Sequence, residues 1–119
     1  MGDSGDRSVR EVIESHLALR KAGEVEQDIE HNFSPDVVLL TGTGVYRGHH
    51  GVRSSSAELS RYLGEGTFHY RQLIVEGRAG FLEWAADGSG GRIRDGADSF
   101  VVEDGRIVLQ TIHYTVDSD

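Results

Sequence analysis

The chain contains no cysteine, one proline, one tryptophan, and twelve basic residues against twenty acidic ones. The missing cysteine excludes disulfides, thiolate nucleophiles and cysteine-bound zinc. A formal net charge of −8 disfavours nucleic acid or an anionic membrane as partner, because both need a cationic face. No apolar run approaches the roughly 20 residues of a membrane helix. The opening MGDSGDRS lacks the hydrophobic stretch of a signal peptide, so a cytoplasmic location is expected. None of the six histidines has a spacing backed by carboxylates on one face, and no metal site is expected. The stretch DGSGG lacks a Lys and a following helix, which makes it a hairpin loop and not a phosphate cradle.

What is present is 119 residues of 37% hydrophobic content, gathered in blocks between polar turns. That is enough chain for one domain with a real core. Residues 1–7 are mostly polar or small and are expected to be disordered, leaving a single domain over 8–119.

Helical spacing runs over 8–22, where Val9, Val12, His16 and Leu19 form one stripe. Ser8 and Glu11 have the spacing of a capping box, and Gly23 is a stop. A second helix is predicted over 24–33 and ends at Ser34-Pro35-Asp36. Residues 37–41 and 45–47 read as a hairpin with a three-residue loop. A more polar helix follows over 48–63, with Val52, Leu59, Tyr62 and Leu63 buried. Four long antiparallel strands complete the chain, at 67–76, 78–86, 92–102 and 106–116. The order predicts an α+β fold with a curled antiparallel sheet and about three helices on its concave face.

The strand in DGADSFVVEDGRI places Asp98, Phe100 and Val102 on one face. That face is largely apolar, so Asp98 is expected inside the core. A buried carboxylate costs several kcal/mol unless hydrogen bonds or an opposite charge compensate it. Burial raises its pKa and makes it a proton donor or a base tuned toward neutrality.

The element order and the strings HLALRKAGEVEQDIEHNFSPDVVL, GVYRGHHGVR, DGADSFVVEDGRIV and QTIHYTV resemble the nuclear transport factor 2-like superfamily of α+β cones. Its members include ketosteroid isomerases, SnoaL-type polyketide cyclases and limonene epoxide hydrolases. The resemblance covers about 8–116. In the isomerases, a helix-one Tyr and a protonated Asp on a late strand form an oxyanion hole, and a second Asp is the base. By resemblance His16 stands at the Tyr position, Asp98 at the oxyanion Asp, and Thr41 at the base. Threonine cannot replace a carboxylate base, so steroid isomerisation by that route is not expected. The epoxide hydrolases' catalytic Asp falls on Ile112, which argues against that reaction as well.

Three catalytic candidates emerge. Asp98 and His16 would polarise or protonate an oxygen, and Glu83 would be the base that Thr41 is not. Strand parity leaves Glu83 open. If Phe81, Glu83 and Ala85 point inward, Glu83 lines the cavity. If Leu82, Trp84 and Ala86 do, Trp84 is a stacking wall and Glu83 a surface charge. His69 and Arg71, sharing a face with Leu73 and Val75, are equally open. Tyr46, Trp84, Phe100, Gln110, Ile112 and Tyr114 are the candidate substrate-binding wall for an apolar, oxygenated ligand. The outer sheet face, with Ile107, Leu109, Thr111 and His113, is where the superfamily dimerises, and a homodimer is expected.

Two readings follow. One is a cofactor-free isomerase, cyclase or hydratase acting on an apolar carbonyl compound. The other is a non-catalytic ligand-binding or dimerisation module, in which Asp98 pairs with His16 or Arg94 only to tie helix to sheet.

Overall fold

The computed structural model describes residues 7–117. The first helix, α1 (Val9–Lys21), begins with the predicted capping box. The Ser8 hydroxyl accepts the Glu11 amide at 3.0 Å, and the Glu11 carboxylate accepts the Ser8 amide at 2.7 Å. The helix buries Val12, Ile13, His16 and Leu17. Gly23, at φ +80°, turns the chain into α2 (Val25–Asn32). Arg7 falls in the segment expected to be disordered, but its guanidinium donates to Asn32 Oδ1 at 2.7 Å and to the carbonyls of His31 and Gly105. The rest of that segment lies outside the described residues.

The remaining elements are β1 (Phe33–Thr41), β2 (Gly44–Arg47), α3 (Gly48–Leu63), β3 (Gly66–Glu76), β4 (Ala79–Gly88), β5 (Arg92–Glu103) and β6 (Arg106–His113). Together the strands make one six-stranded sheet in the order β2-β1-β6-β5-β4-β3. The sheet is mixed, where an antiparallel one was expected, because β1 runs parallel to β6. The loop between β1 and β2 is also tighter than predicted, since Thr41 pairs with Gly44 across Gly42-Thr43. Among the described residues no helix is long and apolar enough to cross a membrane.

The sheet is curled and unclosed. Its β-bulges each place an extra residue in one strand, which bends the sheet and reverses the side-chain alternation. In β3 the bulge is at Arg71, because Tyr70 pairs with Trp84 and Gln72 with the adjacent Glu83. His69 and Arg71 are therefore exposed although Leu73 and Val75 face inward. In β6 the bulge is at Val108, since Leu109 pairs with Val101 and Ile107 with Val102. Ile107, expected on the outer face, is consequently buried in the core.

The helices cover the concave side. Ile13, Ile29, Phe33, Leu39, Leu82, Ile93 and Phe100 fill the space between the layers. Tyr62, expected in this core, projects from α3 and is exposed.

Candidate active site

On β5, Asp98, Phe100 and Val102 all point inward, as alternation requires. Asp98 is 8% exposed. Two N–H groups meet its carboxylate. Trp84 Nε1 on β4 donates to Oδ1 and Gln110 Nε2 on β6 donates to Oδ2, each at 3.0 Å. Burial is the largest influence on its titration and pushes the pKa up to about 6. The two donors and the nearby His16 and Arg20 act in the other direction. The result is a carboxyl that takes or gives a proton near neutrality.

Trp84 reaches Asp98 because residue 96 is glycine. A β-carbon there would lie 2.3 Å from the indole Cδ2, inside any real contact distance. The bare backbone of β5 lets the ring lie flat against the sheet.

His16 occupies the buried stripe of α1 and packs edge-on against Phe33 and Phe100, with centroid separations of 5.3 and 5.5 Å. Asp98 pairs with neither His16 nor Arg94, its partners being Trp84 and Gln110. His16 Nδ1 meets Asp28 Oδ2 at 2.8 Å, and Arg94 is exposed. Asp28 on α2 is fully buried and also accepts from Arg20 Nε at 2.7 Å and Asn32 Nδ2 at 2.9 Å. Burial opposes the Asp28 charge, but His16, Arg20 and Asn32 outweigh it and hold the carboxyl below its ordinary range.

His16, Asp98 and Arg20 line one cleft, walled by Leu39, Phe68, Tyr70, Leu82, Trp84, Ile112 and Tyr114. This cleft has a free volume of about 70 Å³. It shares Ser55, Ile112 and Tyr114 with a larger recess of about 370 Å³, bounded by the β1–β2 turn, Glu58 and 112–116. The Tyr70 hydroxyl donates to the Leu17 carbonyl at 3.1 Å, and burial pushes its pKa up to about 12, so it stays neutral.

Of the residues singled out from sequence, His16, Trp84, Asp98, Gln110, Ile112 and Tyr114 line this cleft. Three others do not. Glu83 is exposed on the outer face, opposite Gln72 and Ala97, because Leu82 and Trp84 take the inward parity. Phe100 is buried behind the His16 ring. Tyr46 lies apart from the cleft, its hydroxyl donating to Glu58 Oε1 at 2.5 Å.

Asp28 and Arg20 were not singled out. A signal was available for Asp28, because Val25, Asp28, Ile29 and Asn32 share one helical stripe and so put a carboxylate on an apolar face. Among the described residues no group of three or more His, Asp or Glu converges in a way that would hold a metal ion.

A family model described as a SnoaL-like domain matches residues 11–110. The chain belongs to the SnoaL-like domain family. Solved structures agree on the fold at low identity. A Sinorhizobium meliloti protein provisionally assigned as a polyketide cyclase superposes with a TM-score of 0.74 at 17% identity, covering 92% of this chain and 98% of that one. A nuclear transport factor 2-like protein of unknown function from Burkholderia xenovorans LB400 gives 0.75 at 14%, covering 93% and 85%. TerC, co-crystallised with polyporic acid, gives 0.75 at 19%, covering 90% and 91%. None of the curated proteins is significantly similar to the chain. This SnoaL-like chain therefore has the nuclear transport factor 2-like cone, with Asp98 and His16 on its concave side.

Proposed function

We propose that this SnoaL-like protein is a cofactor-free acid–base catalyst acting on an apolar carbonyl compound, in the manner of an isomerase, cyclase or hydratase. One observation carries the reading. A buried carboxyl with its pKa at about 6 faces the same cleft as an imidazole whose Nε2 has no protein hydrogen bond among the described residues. Asp98 takes the proton from the carbon next to the substrate carbonyl, and the electron pair moves onto the carbonyl oxygen. His16 Nε2 in its protonated form donates a hydrogen bond to that oxygen. Asp98 then returns the proton to a different carbon, or the enolate carbon attacks a second carbonyl carbon within the molecule and Asp98 gives its proton to the oxygen of that carbonyl as its π bond opens.

The cleft also sets the shape of the ligand. A free volume of about 70 Å³ is below the roughly 300 Å³ at which ligand pockets begin. Only the reacting carbonyl end fits beside Asp98, and the remainder extends past Tyr114 into the outer recess. The co-crystallisation of TerC with polyporic acid supports an organic small molecule as the occupant. The protein is proposed to act as a homodimer joined through its outer sheet face, where Leu40, Val45, Ile74 and Phe81 are exposed.

The second reading, binding without chemistry, draws on the two N–H groups that already satisfy Asp98. Deuterium exchange separates the two. Incubated in D2O with 3-cyclohexen-1-one, the protein should exchange the protons next to the carbonyl and move the double bond, as followed by proton NMR. Asp98→Asn should lower that rate by at least about 100-fold with the fold retained. Saturable binding of the ketone with exchange no faster than in buffer would leave the binding module standing.

A further inference from the structure

We infer that Asp28 is a positioning residue that fixes which nitrogen of His16 faces the cleft, with Arg20 holding the Asp28 carboxylate to that task. The inference rests on the acid–base reading of the cleft.

Both groups of fixed role that meet Asp28, Arg20 and Asn32, are donors. Oδ2 receives Arg20 Nε at 2.7 Å and lies 2.8 Å from His16 Nδ1. Oδ1 receives Asn32 Nδ2 at 2.9 Å. The orientation of the Asn32 amide is itself determined, because its Oδ1 accepts from Arg7 Nη1 at 2.7 Å and its Nδ2 also donates to Ser15 Oγ at 3.1 Å. Asn32 can therefore present only its NH2 group to Asp28.

An ionised carboxylate accepts and cannot donate, so the proton between it and His16 has to sit on Nδ1. A protonated Asp28 would reverse that bond, but it would set an O–H on the oxygen that also takes the Arg20 guanidinium. Arg20 excludes this arrangement. The remaining nitrogen, Nε2, carries the lone pair in the neutral ring and the transferable proton in the charged one. It belongs to a ring that lines the cleft.

The same Asp–His geometry orients the base in the serine hydrolase triads. Here the carboxylate comes from the helix next to the one that carries the imidazole. The charged or titratable groups facing His16 are Asp28 from α2, Arg20 from α1, Asp98 from β5 and Tyr70 from β3, with Tyr114 beyond β6.

The test begins without substrate. Long-range proton–nitrogen correlation spectra of the wild-type chain, labelled with 15N-histidine, should show neutral His16 protonated at Nδ1 with a bare Nε2. A ring protonated at Nε2 overturns the inference. In Asp28→Asn the ring should redistribute toward the Nε2–H form. With 3-cyclohexen-1-one as probe, the charged ring that donates from Nε2 loses the carboxylate supporting it, so kcat for exchange should fall at least about tenfold while KM stays within about twofold, and the rate–pH profile should change shape.

A merely structural tie would lower the melting temperature and leave the tautomer, the kcat and the profile unmoved, which also overturns the inference. If Asp28→Asn does not fold, Arg20→Gln provides the same readings from the edge of the network, with a smaller loss of kcat and an unchanged KM expected. An Nδ1–H ring in a protein that exchanges no ketone would retire the acid–base reading and leave the Asp28 arrangement in place.

Discussion

The indole Nε1–H of Trp84 donates to Oδ1 of Asp98 at 3.0 Å, joining the one tryptophan of the chain to the buried carboxyl that lines the cleft. Gln110 holds the other oxygen, so the carboxylate cannot turn away from the ring. Ionisation of Asp98 places a full charge at the end of the indole dipole, and protonation removes it.

Tryptophan emission should therefore titrate with Asp98. The wild-type protein is expected to show a sigmoidal change in intensity or wavelength with its midpoint near the raised value of about 6. Asp98→Asn should be flat through the same range. Gly96→Ala pushes the indole off its seat on β5 and should abolish the transition by a second route. A wild-type trace with no inflection between about pH 5 and about pH 7 would show that Asp98 titrates as an ordinary exposed carboxyl.

The same shift makes folding stability depend on pH, with a sign opposite to that of most acidic groups. In the unfolded chain Asp98 ionises near 3.8, and in the fold near 6. Its contribution is complete below the unfolded value and is lost as the pH rises through the folded one. Asp28 behaves the other way. Its folded pKa is depressed, so its contribution is present at neutral pH and fades as the pH falls below the ordinary carboxyl range. Urea unfolding of wild type and Asp98→Asn should show their difference moving against wild type by about 2 kcal/mol between about pH 4.5 and about pH 7.5. A constant difference would contradict the buried titration.

Alternation along β5 was enough to turn Asp98 inward, because Phe100 and Val102 mark the core side without ambiguity. On β4 the same rule could not choose between Glu83 and Trp84, since Phe81 and Leu82 are both apolar and neighbour opposite faces. The structure settles it through the pairing of Trp84 with Gly96, a partner that only the fold reveals. Ile107 misled for a related reason. A bulge at Val108 is invisible to counting by twos, and it moves Ile107 from the outer face to the core. His16 was legible as a polar residue on an apolar stripe. Its partner was not, because a helical position specifies a face and not what lies across it. Helix caps, turn glycines and strand lengths pointed together to an α+β fold with a curled sheet, and the cone followed from the resemblance of the element order and local strings to the superfamily.

One row of residues crosses the outer face from edge to edge. In register it runs Ile74, Phe81, Ser99, Thr111, Leu40, Val45, one from each strand. Its ends are apolar and open to solvent, with Ile74 at 52%, Phe81 at 41%, Leu40 at 42% and Val45 at 55% exposed. Its centre is small and polar, pinned by the Ser99 amide donating to Thr111 Oγ1. Clusters of exposed apolar side chains beside polar ones mark interaction surfaces, and this row carries one at each end. A two-fold axis through the polar centre would set Ile74 and Phe81 against the partner subunit's Leu40 and Val45, and the reverse, as an isologous contact requires. Light scattering after gel filtration should then return twice the chain mass of 13.0 kDa for wild type at micromolar concentration. Phe81→Glu should bring the value down to the single-chain mass, and Leu40→Glu should do the same from the other end of the row. Both residues are exposed within one subunit, so each variant should keep its own fold and its far-ultraviolet spectrum. A wild-type chain that runs as a monomer, or a dimer indifferent to both charges, would move the interface off this face.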